Sequence, residues 1–385
     1  MQAQERDPEL TRTRLAGWLT PRLPGATGGV DLGPLASPEG LGFSNETHLF
    51  DATWGDGDTR TTRRLVLRIA PTVYQVFLEP RFAEQYQIMA ALTGADPGLP
   101  VPELLGYEPD ATLLGAPFFV MAAADGRAPN DNPPYHVGGW LHDVNPADRA
   151  AMWWAGIDIL ARVHRLDPAT LDLGFLNSAG RGRTGIDQQL AYYEQMLTWA
   201  GAKVFDTPPE PLATARDWLR AHQPDEPDPP VLLWGDARIG NILFDEQFHP
   251  TAVLDWEMAE LGAPETDFAW FLFLDRHHCE GCDAPRLAGF PTRAETVARY
   301  EQLLGRPVRH LDYYEVFAAY RFAVIMLRIL VTFVELGMMD PTTDMITNNT
   351  VSRMLATLLD LPAPGAPPDR ETPRTAPAGA PTAAG

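Results

Sequence analysis

Three side chains that carry oxygen donors follow one another closely in residues 231–267, VLLWGDARIGNILFDEQFHPTAVLDWEMAELGAPETD. Four residues separate Asp236 from Asn241, and Asp255 ends a short apolar run. A carboxylate can orient a hydroxyl group and accept its proton, whereas Mg²⁺ binds carboxylate and amide oxygens together with phosphate oxygens. The three residue types therefore suit phosphoryl transfer, with Asp236 as the base and Asn241 and Asp255 as metal ligands.

The surrounding pattern predicts that these side chains meet at one end of a small hairpin. An apolar run at 231–234 precedes Asp236, and two strand-like runs follow at 242–244 and 251–254. Turn-forming residues join the two runs, which indicates a β-hairpin whose second strand delivers Asp255. Taken singly, each aspartate has a structural alternative as a turn residue or a helix cap. The ordered set of three is much harder to explain in that way.

The same stretch resembles the aminoglycoside phosphotransferase-like kinases. Their pattern runs roughly H-G-D-x-x-x-x-N, then I-D-W-E, then G-x-P-x-x-D-L-A. The matching residues are Gly235, Asp236, Asn241, Asp255, Trp256, Glu257, Gly262, Pro264, Asp267 and Ala269. The wording is most similar to actinobacterial-type members and to the kinase-like domain fused to some acyl-CoA dehydrogenases. Trp234 stands where the family usually has His, a residue that the resemblance identifies mainly as a structural prop.

The resemblance implies a bilobal, protein-kinase-like α/β fold and covers most of residues 26–334. The N-terminal nucleotide-binding lobe, 1–125, would contain an antiparallel sheet and one helix. The C-terminal catalytic and substrate lobe, 126–361, would be mostly helical and carry the catalytic hairpin. Residues 362–385 are almost all Pro, Ala, Gly and Thr, a composition that predicts a disordered tail.

The resemblance places much of the nucleotide site in the N-terminal lobe. A G-x-S-N-x-T loop with Ser44 and Asn45 precedes a strand-like alternation, and in the family it covers the nucleotide; an ordinary turn is the alternative. Arg68 lies in the next predicted strand, where the family usually has a lysine for the α- and β-phosphates. Arginine can bind phosphate bidentately, so the replacement can work. The alternative is a strand arginine that faces solvent.

Two further elements would contact the cation and the adenine. The family places a Glu on a helix, predicted here over 77–92, to orient the strand cation. Gln85 aligns with it and Glu84 lies one position early, about 100° away on a helix, so the choice stays open. If Gln85 faces Arg68, the ion pair becomes a hydrogen bond.

The apolar strand 117–124 would form the hinge between the lobes, although the sequence alone indicates only a buried strand and a turn. There adenine would contact main-chain groups near Met121, Ala122 and Ala124. The implied cofactors are ATP, with GTP as an alternative, and Mg²⁺.

Two residues of the C-terminal lobe are predicted to have structural roles. Asp267 would brace the catalytic loop without reacting, and His164 is interpreted as a packed core residue. A C-x-x-C sequence, Cys279 to Cys282, follows two histidines, which would suit a metal. No second half of a zinc site is visible, so a loop with two reduced thiols is the default interpretation. Helices are further predicted over 7–23, 146–166, 187–199, 212–222, 292–304, 313–334 and 350–361.

The composition excludes several classes of protein. With 45% hydrophobic residues in a chain of 385, a sizeable core is expected. The net charge of −21 argues against nucleic acid and anionic membranes as partners. No signal peptide or membrane span is predicted, because the first residues are charged and the apolar runs are short. A cytoplasmic protein is expected, and its acidic surface would attract a cationic substrate unless the charge serves solubility alone.

Three functions remain open. The first is an ATP- and Mg²⁺-dependent kinase of a small hydroxylated molecule; family members phosphorylate aminoglycosides, macrolides, choline, homoserine and sugars, and a shared fold does not choose among them. Acidic residues past the site, Glu257, Glu260 and Glu265, would suit an aminosugar or be ordinary surface charge. The second is a nucleotide-binding, pseudokinase-like regulatory module without transfer activity. The third is a metal-stabilised binding protein built around Cys279 and Cys282.

Overall fold

The computed structural model describes residues 6–37, 45–57, 60–72, 75–202, 204–226 and 228–365. Ser44 lies outside the described residues, as does the tail from residue 366 onward. The described part contains an N-terminal antiparallel sheet of five strands, followed by a second lobe made mostly of helices. This architecture agrees with the two-lobed α/β fold expected from the sequence.

The sheet has the spatial order β1-β2-β3-β5-β4. Its strands are β1 Asp31–Leu32, β2 Glu46–Trp54, β3 Thr61–Ile69, β4 Leu104–Glu108 and β5 Phe118–Ala122. Along β3, Leu65 and Leu67 are buried in an outer core, whereas Val66 belongs to the core that continues into the second lobe. Because side chains alternate along a strand, Arg68 shares the inner face with Val66. The sheet therefore directs Arg68 toward the second lobe.

Helix α1, Pro8–Leu19, covers the outer face of the sheet. It begins after Asp7, whose carboxylate accepts hydrogen bonds from the backbone N–H groups of Glu9 and Leu10, as expected of an N-cap. The indole ring of Trp18 packs edge-on against Phe118, with 5.0 Å between ring centres. The N-terminal lobe thus has a hydrophobic core of its own.

Helix α2, Phe82–Leu92, packs on the inner side of the sheet, where Phe82 contacts Phe119 with 5.2 Å between ring centres. The prediction that this helix begins at residue 77 was wrong. Glu79 precedes Pro80, and the residue before a proline avoids the helical conformation, which interrupts a helix at this point. Residues 76–79 instead form bends.

The helices of the second lobe surround the long helix α9, Leu311–Glu335, which packs against α5, α6, α7 and α10. The others are α3 Trp140–Asp143, α4 Pro146–His164, α5 Gly185–Gly201, α6 Leu212–Ala221, α7 Glu265–Cys279, α8 Arg293–Leu304 and α10 Thr350–Leu358. Among the described residues, α9 is the one helix long and apolar enough to cross a membrane. Its most apolar window is 72% buried, as in the core helix of a globular lobe.

Two short strand pairs hold the catalytic segment. Strand β6, Val231–Leu233, pairs with β9, Glu260–Gly262, and β7, Ile242–Phe244, pairs with β8, Pro250–Val253. The N–H group of Leu254 donates to the carbonyl oxygen of Asn241 at 2.9 Å, so the open end of the β7–β8 hairpin is closed by a hydrogen bond. This hydrogen bond places the backbone of Asn241 beside Leu254, and Asp255 is the next residue in the chain.

Candidate active site

The carboxylate of Asp236 is held by three donors. Its Oδ2 accepts hydrogen bonds from Arg238 Nε at 3.0 Å and Asn241 Nδ2 at 2.7 Å, and its Oδ1 accepts one from Trp270 Nε1 at 2.9 Å. Gly235 precedes it with φ of +91°, and a Cβ atom there would lie 2.1 Å from the carbonyl oxygen of Met258. Only glycine fits this turn, and the turn sets the direction of the Asp236 side chain.

Arg238 connects Asp236 to a second carboxylate. Its guanidinium group also contacts Asp131, which in turn lies 3.3 Å from Nε2 of His278. Burial raises the pKa of Asp131, but the His278 hydrogen bond and the Arg238 charge outweigh that effect and hold the pKa well below its usual value. Asp131 is therefore an anion that shares the charge of Arg238 with Asp236.

Asn241 and Asp255 are brought together as the sequence predicted. The side-chain nitrogen of Asn241 donates to the main-chain oxygen and to Oδ2 of Asp236, which leaves the side-chain oxygen, Oδ1, for another partner. Asp255 has a φ of +65°, unusual for a non-glycine residue and frequent at functional sites. Its Oδ1 is buried without a hydrogen-bond partner among the described residues. The hairpin thus places both residues at its open end, and Asn241 bonds Asp236 directly.

The charge of Asp255 is only partly compensated. The nearest cation is Arg68, whose Nη2 lies 3.8 Å from Oδ1 of Asp255. Burial raises the pKa of Asp255, the Arg68 charge opposes that rise, and the neighbouring Asp236 charge adds to it. An additional cation at this position would relieve the strain on Asp255.

Asp267 braces the catalytic loop, in agreement with its predicted role. Its carboxylate accepts hydrogen bonds from the backbone N–H groups of Trp234 at 2.6 Å and Gly235 at 3.1 Å. His164, fully buried, bonds both Asp267 and the hydroxyl group of Tyr300, so it is a core residue as interpreted from the sequence. The indole N–H of Trp234 donates to the carbonyl oxygen of Leu254 at 2.8 Å. The tryptophan therefore ties the loop to the hairpin.

The helix α2 presents Gln85, not Glu84, to the cleft. Gln85 is 1% exposed and lines a small cavity together with Asn45 and Glu257. The sequence analysis expected a hydrogen bond between Gln85 and Arg68 if Gln85 faced the site. This bond is not formed, because neither amide atom of Gln85 has a partner among the described residues. Asn45 reaches across the cleft instead, and its Nδ2 donates to Glu257 at 3.0 Å.

The predicted hinge residues lie at the end of β5 and directly after it. The N–H group of Ala122 donates to the carbonyl oxygen of Glu103 at 2.8 Å, and that of Ala123 donates to Arg64 at 3.0 Å. These two donors are therefore committed to neighbouring strands. Met121 is buried and Ala124 is half-buried, and adenine contact at this segment stays a prediction.

A cavity of about 310 Å³, called here the cleft cavity, opens beside Asp236 and Asp255. The polar part of its lining includes Arg238, His278 and Asp131 in addition to Asp236 and Asp255. The apolar part of the lining includes Phe322, Ile325, Met326 and Ile329 of α9 together with Val76 and Phe77. His277 also lines it, and burial, followed by the effect of His278, lowers the pKa of His277 to about 4. Its ring is therefore neutral near neutral pH.

Two of the three acidic residues considered for an aminosugar have other partners. Glu260 lies 3.7 Å from Arg81, and Glu265 forms two hydrogen bonds with Arg306 at 2.6 and 3.1 Å. Neither lines the cleft cavity, whereas Glu257 does. The acidic sequence pattern past the catalytic loop is therefore mainly structural.

The cysteine loop has the unpredicted neighbours His136 and Asp275. Atoms of His136, Asp275 and Cys279 lie within 4.8 Å of one another, a spacing that a metal ion could bridge. However, Asp275 accepts hydrogen bonds from His136 at 2.9 Å, Tyr135 at 2.8 Å and Arg286 at 2.7 Å. Burial raises the pKa of the Cys279 thiol to about 11. This donor set is already satisfied and does not fit a metal, so it speaks against the metal-stabilised interpretation.

Together, the fold and the site define the class of protein. An N-terminal antiparallel sheet, a helical second lobe and a carboxylate–amide–carboxylate site at a hairpin between them are those of the protein-kinase-like fold. The family model of the phosphotransferase enzyme family matches residues 42–303. The chain belongs to that family.

Individual relatives agree with this assignment. Over 191 residues the chain is 34% identical to acyl-CoA dehydrogenase family member 11 from Gallus gallus, a match that covers 48% of the chain and 22% of that protein. The chain thus spans less than a quarter of that relative's length.

Two solved structures share the fold. A candidate aminoglycoside phosphotransferase from Ralstonia eutropha JMP134 superposes with a TM-score of 0.65 at 24% identity, covering 90% of this chain and 95% of that chain. A thermostable mutant of aminoglycoside phosphotransferase APH(4)-Ia, in complex with ADP and hygromycin B, superposes with a TM-score of 0.50 at 18% identity. That match covers 84% of this chain and 93% of the other.

Proposed function

We propose that this chain is an ATP- and Mg²⁺-dependent phosphotransferase that moves the γ-phosphoryl group of ATP to a hydroxyl group of a small molecule. The observation that carries the proposal is the arrangement of Asp236, Asn241 and Asp255 at the end of one hairpin, with Arg68 3.8 Å from Asp255. A base, two oxygen ligands and a phosphate-binding cation are the groups that phosphoryl transfer requires. The ADP complex of the similar structure supports a nucleotide as donor.

Asn241 and Asp255 are the residues that would hold Mg²⁺. The donor set fits this ion, because Oδ1 of Asp255 is buried without a hydrogen-bond partner among the described residues, and the amide bonds of Asn241 use its side-chain nitrogen and not its Oδ1. When bound, the ion would neutralise charge on the transferred phosphate.

The transfer step follows from the position of Asp236. The acceptor hydroxyl gives its proton to the Asp236 carboxylate while its oxygen forms a bond to the γ-phosphorus. The bond between the γ-phosphorus and the oxygen shared with the β-phosphate breaks, and that oxygen leaves with the electron pair as part of ADP. Asp236 then releases the proton to solvent, which restores the carboxylate.

The cleft cavity supports an acceptor with an apolar body. Its lining includes Asp236 and, from α9, the apolar residues Phe322, Ile325, Met326 and Ile329. A polycationic aminosugar would leave such a wall poorly used, because burial against apolar side chains favours apolar groups. The name of the relative, an acyl-CoA dehydrogenase family member, makes hydroxylated acyl compounds reasonable members of an acceptor panel.

A second candidate is a nucleotide-binding regulatory module without transfer activity. The unpartnered amide group of Gln85, which stands where the family has a Glu, favours it. The three hydrogen bonds that hold the Asp236 carboxylate in place favour the enzyme instead. In either case the proposed setting is the cytoplasm with small-molecule partners, as the charge of −21 favours over nucleic acid or membranes.

The test is phosphoryl transfer from ATP labelled at the γ-phosphate to a panel of alcohols. The panel contains hydroxylated acyl compounds, apolar ring alcohols and aminoglycosides. We expect transfer to at least one apolar alcohol, and we expect Asp236→Asn to reduce kcat by about 10² to 10⁴, the contribution typical of a general base. A wild-type protein that binds Mg²⁺ and ATP but labels no acceptor would favour the regulatory module.

A further inference from the structure

The two oxygens of the Asp236 carboxylate have different numbers of partners. Oδ2 accepts two hydrogen bonds, from Arg238 and Asn241, which use both of its lone pairs. Oδ1 accepts one hydrogen bond, from Trp270 Nε1 at 2.9 Å, and keeps one lone pair. Since Asp236 and Trp270 both line the cleft cavity, the available position on Oδ1 lies where an acceptor would bind.

The indole ring of Trp270 packs against the guanidinium group of Arg321 on α9. The guanidinium carbon of Arg321 lies 4.4 Å from the centre of the indole ring, a cation–π contact, and its Nη2 donates to the carbonyl oxygen of Gly235 at 2.6 Å. Its Nε also donates to the hydroxyl group of Tyr193 at 2.9 Å. Trp270 and Arg321 are each 2% exposed, so neither side chain can move far from Gly235 and Asp236.

We propose that Trp270 is a positioning residue of the transfer reaction, because its indole N–H fixes Oδ1 of Asp236 as the oxygen that receives the acceptor's proton. This inference rests on the proposed function. Arg238 and Asn241 hold Oδ2, and Trp270, backed by Arg321, prevents rotation of the carboxylate about its bond to Cβ. Without Trp270 the oxygen that faces the acceptor would have no fixed direction.

The variant that tests this is Trp270→Phe, which removes the N–H donor and keeps an aromatic ring beside Arg321. Loss of a hydrogen bond to a charged group should lower kcat by about tenfold or more, with the KM for ATP unchanged. Trp153→Phe is a matched control, since Trp153 is 1% exposed and its indole donates to Thr296 at 3.0 Å, away from the cleft cavity. It should keep the wild-type kcat.

A double-mutant cycle separates positioning from general structural damage. If Trp270 acts through Asp236, the double variant Asp236→Asn with Trp270→Phe should be no slower than Asp236→Asn alone. A purely structural effect would multiply the two losses. Multiplicative losses, or a Trp270→Phe enzyme as fast as the Trp153→Phe control, would overturn the proposal.

A second measurement needs no activity. In a ¹H–¹⁵N spectrum of tryptophan-labelled protein, the Trp270 indole signal is assigned by its loss in Trp270→Phe. We expect the Trp270 signal to move in Asp236→Asn, because the side chain that accepts its hydrogen bond loses its charge. The Trp153 signal should stay in place, because its acceptor, Thr296, is unchanged. An unmoved Trp270 signal would refute the contact, whereas absence of transfer by the wild type would refute only the proposed function.

Discussion

Replacement of Asp255 by Asn should make the ligand-free protein more stable. Burial raises the pKa of Asp255, with Arg68 opposing and Asp236 adding to the rise, and Oδ1 has no hydrogen-bond partner among the described residues. The folded state therefore holds this proton more tightly than the unfolded chain. The resulting stability is fully present below the unfolded value, 3.8, and is lost as pH rises through the folded pKa. At neutral pH, Asp255→Asn avoids this loss and should unfold at a higher temperature.

The same substitution should remove most of the response to Mg²⁺ and ATP. At a hundred times its Kd, a ligand stabilises the native state by about 2.7 kcal/mol. With an unfolding entropy of about 2.1 cal/mol/K per residue, a chain of 385 residues gains roughly 3 °C in Tm. If loss of the Asp255 oxygen weakens binding a hundredfold, the same ligand concentration stabilises by about 0.4 kcal/mol, or roughly 0.5 °C.

The assay is thermal unfolding with ATP, in Mg²⁺ and in excess chelator. Asp245→Asn is a control on the same hairpin, because Asp245 accepts hydrogen bonds from the backbone N–H groups of His249 and Gln247, which lower its pKa. That variant should lose a little stability and keep the full Mg²⁺-dependent shift. An Asp255→Asn protein that melts below wild type without ligand, or that keeps the whole shift, would refute the reasoning.

Two further substitutions test the brace and the phosphate-binding cation. Asp267→Ala leaves two buried backbone N–H groups of the catalytic loop without acceptors, so chemical denaturation should show a loss of about 2–6 kcal/mol. Asp312→Ala, at a side chain that is 99% exposed, should change stability by less than about 0.5 kcal/mol. Arg68→Ala should raise the Kd of Mg²⁺ and ATP in calorimetry by about tenfold or more. Arg63→Ala on the same strand should leave that Kd unchanged, and equal effects would contradict the assignment of Arg68.

The centre of the site could be predicted because its parts are close in sequence. Asp236, Asn241 and Asp255 lie within one short hairpin, whose register is fixed by local pairing and by the Leu254 to Asn241 hydrogen bond. The brace by Asp267 could also be anticipated, since that residue belongs to the same contiguous pattern. Local strand and turn signals therefore predicted the hairpin and the residues at its open end.

The parts that the sequence did not predict depend on contacts across long stretches of chain. Trp270 meets Asp236 from α7, and Arg238 meets Asp131, which is more than a hundred residues away. Neither pairing has a local signal in the sequence. Cys279 likewise finds His136 only through the packing of the second lobe.

The use of arginine in β3 has a consequence for detection of this protein. Nucleotide probes with an acyl-phosphate group label kinases by acylating a lysine amine near the phosphates. A guanidinium group, such as the one that Arg68 provides on β3, is not a nucleophile toward such probes. The single lysine of the chain, Lys203, lies outside the N-terminal lobe sequence. If the chain binds ATP as proposed, a lysine-directed probe would therefore find no lysine on β3 to acylate.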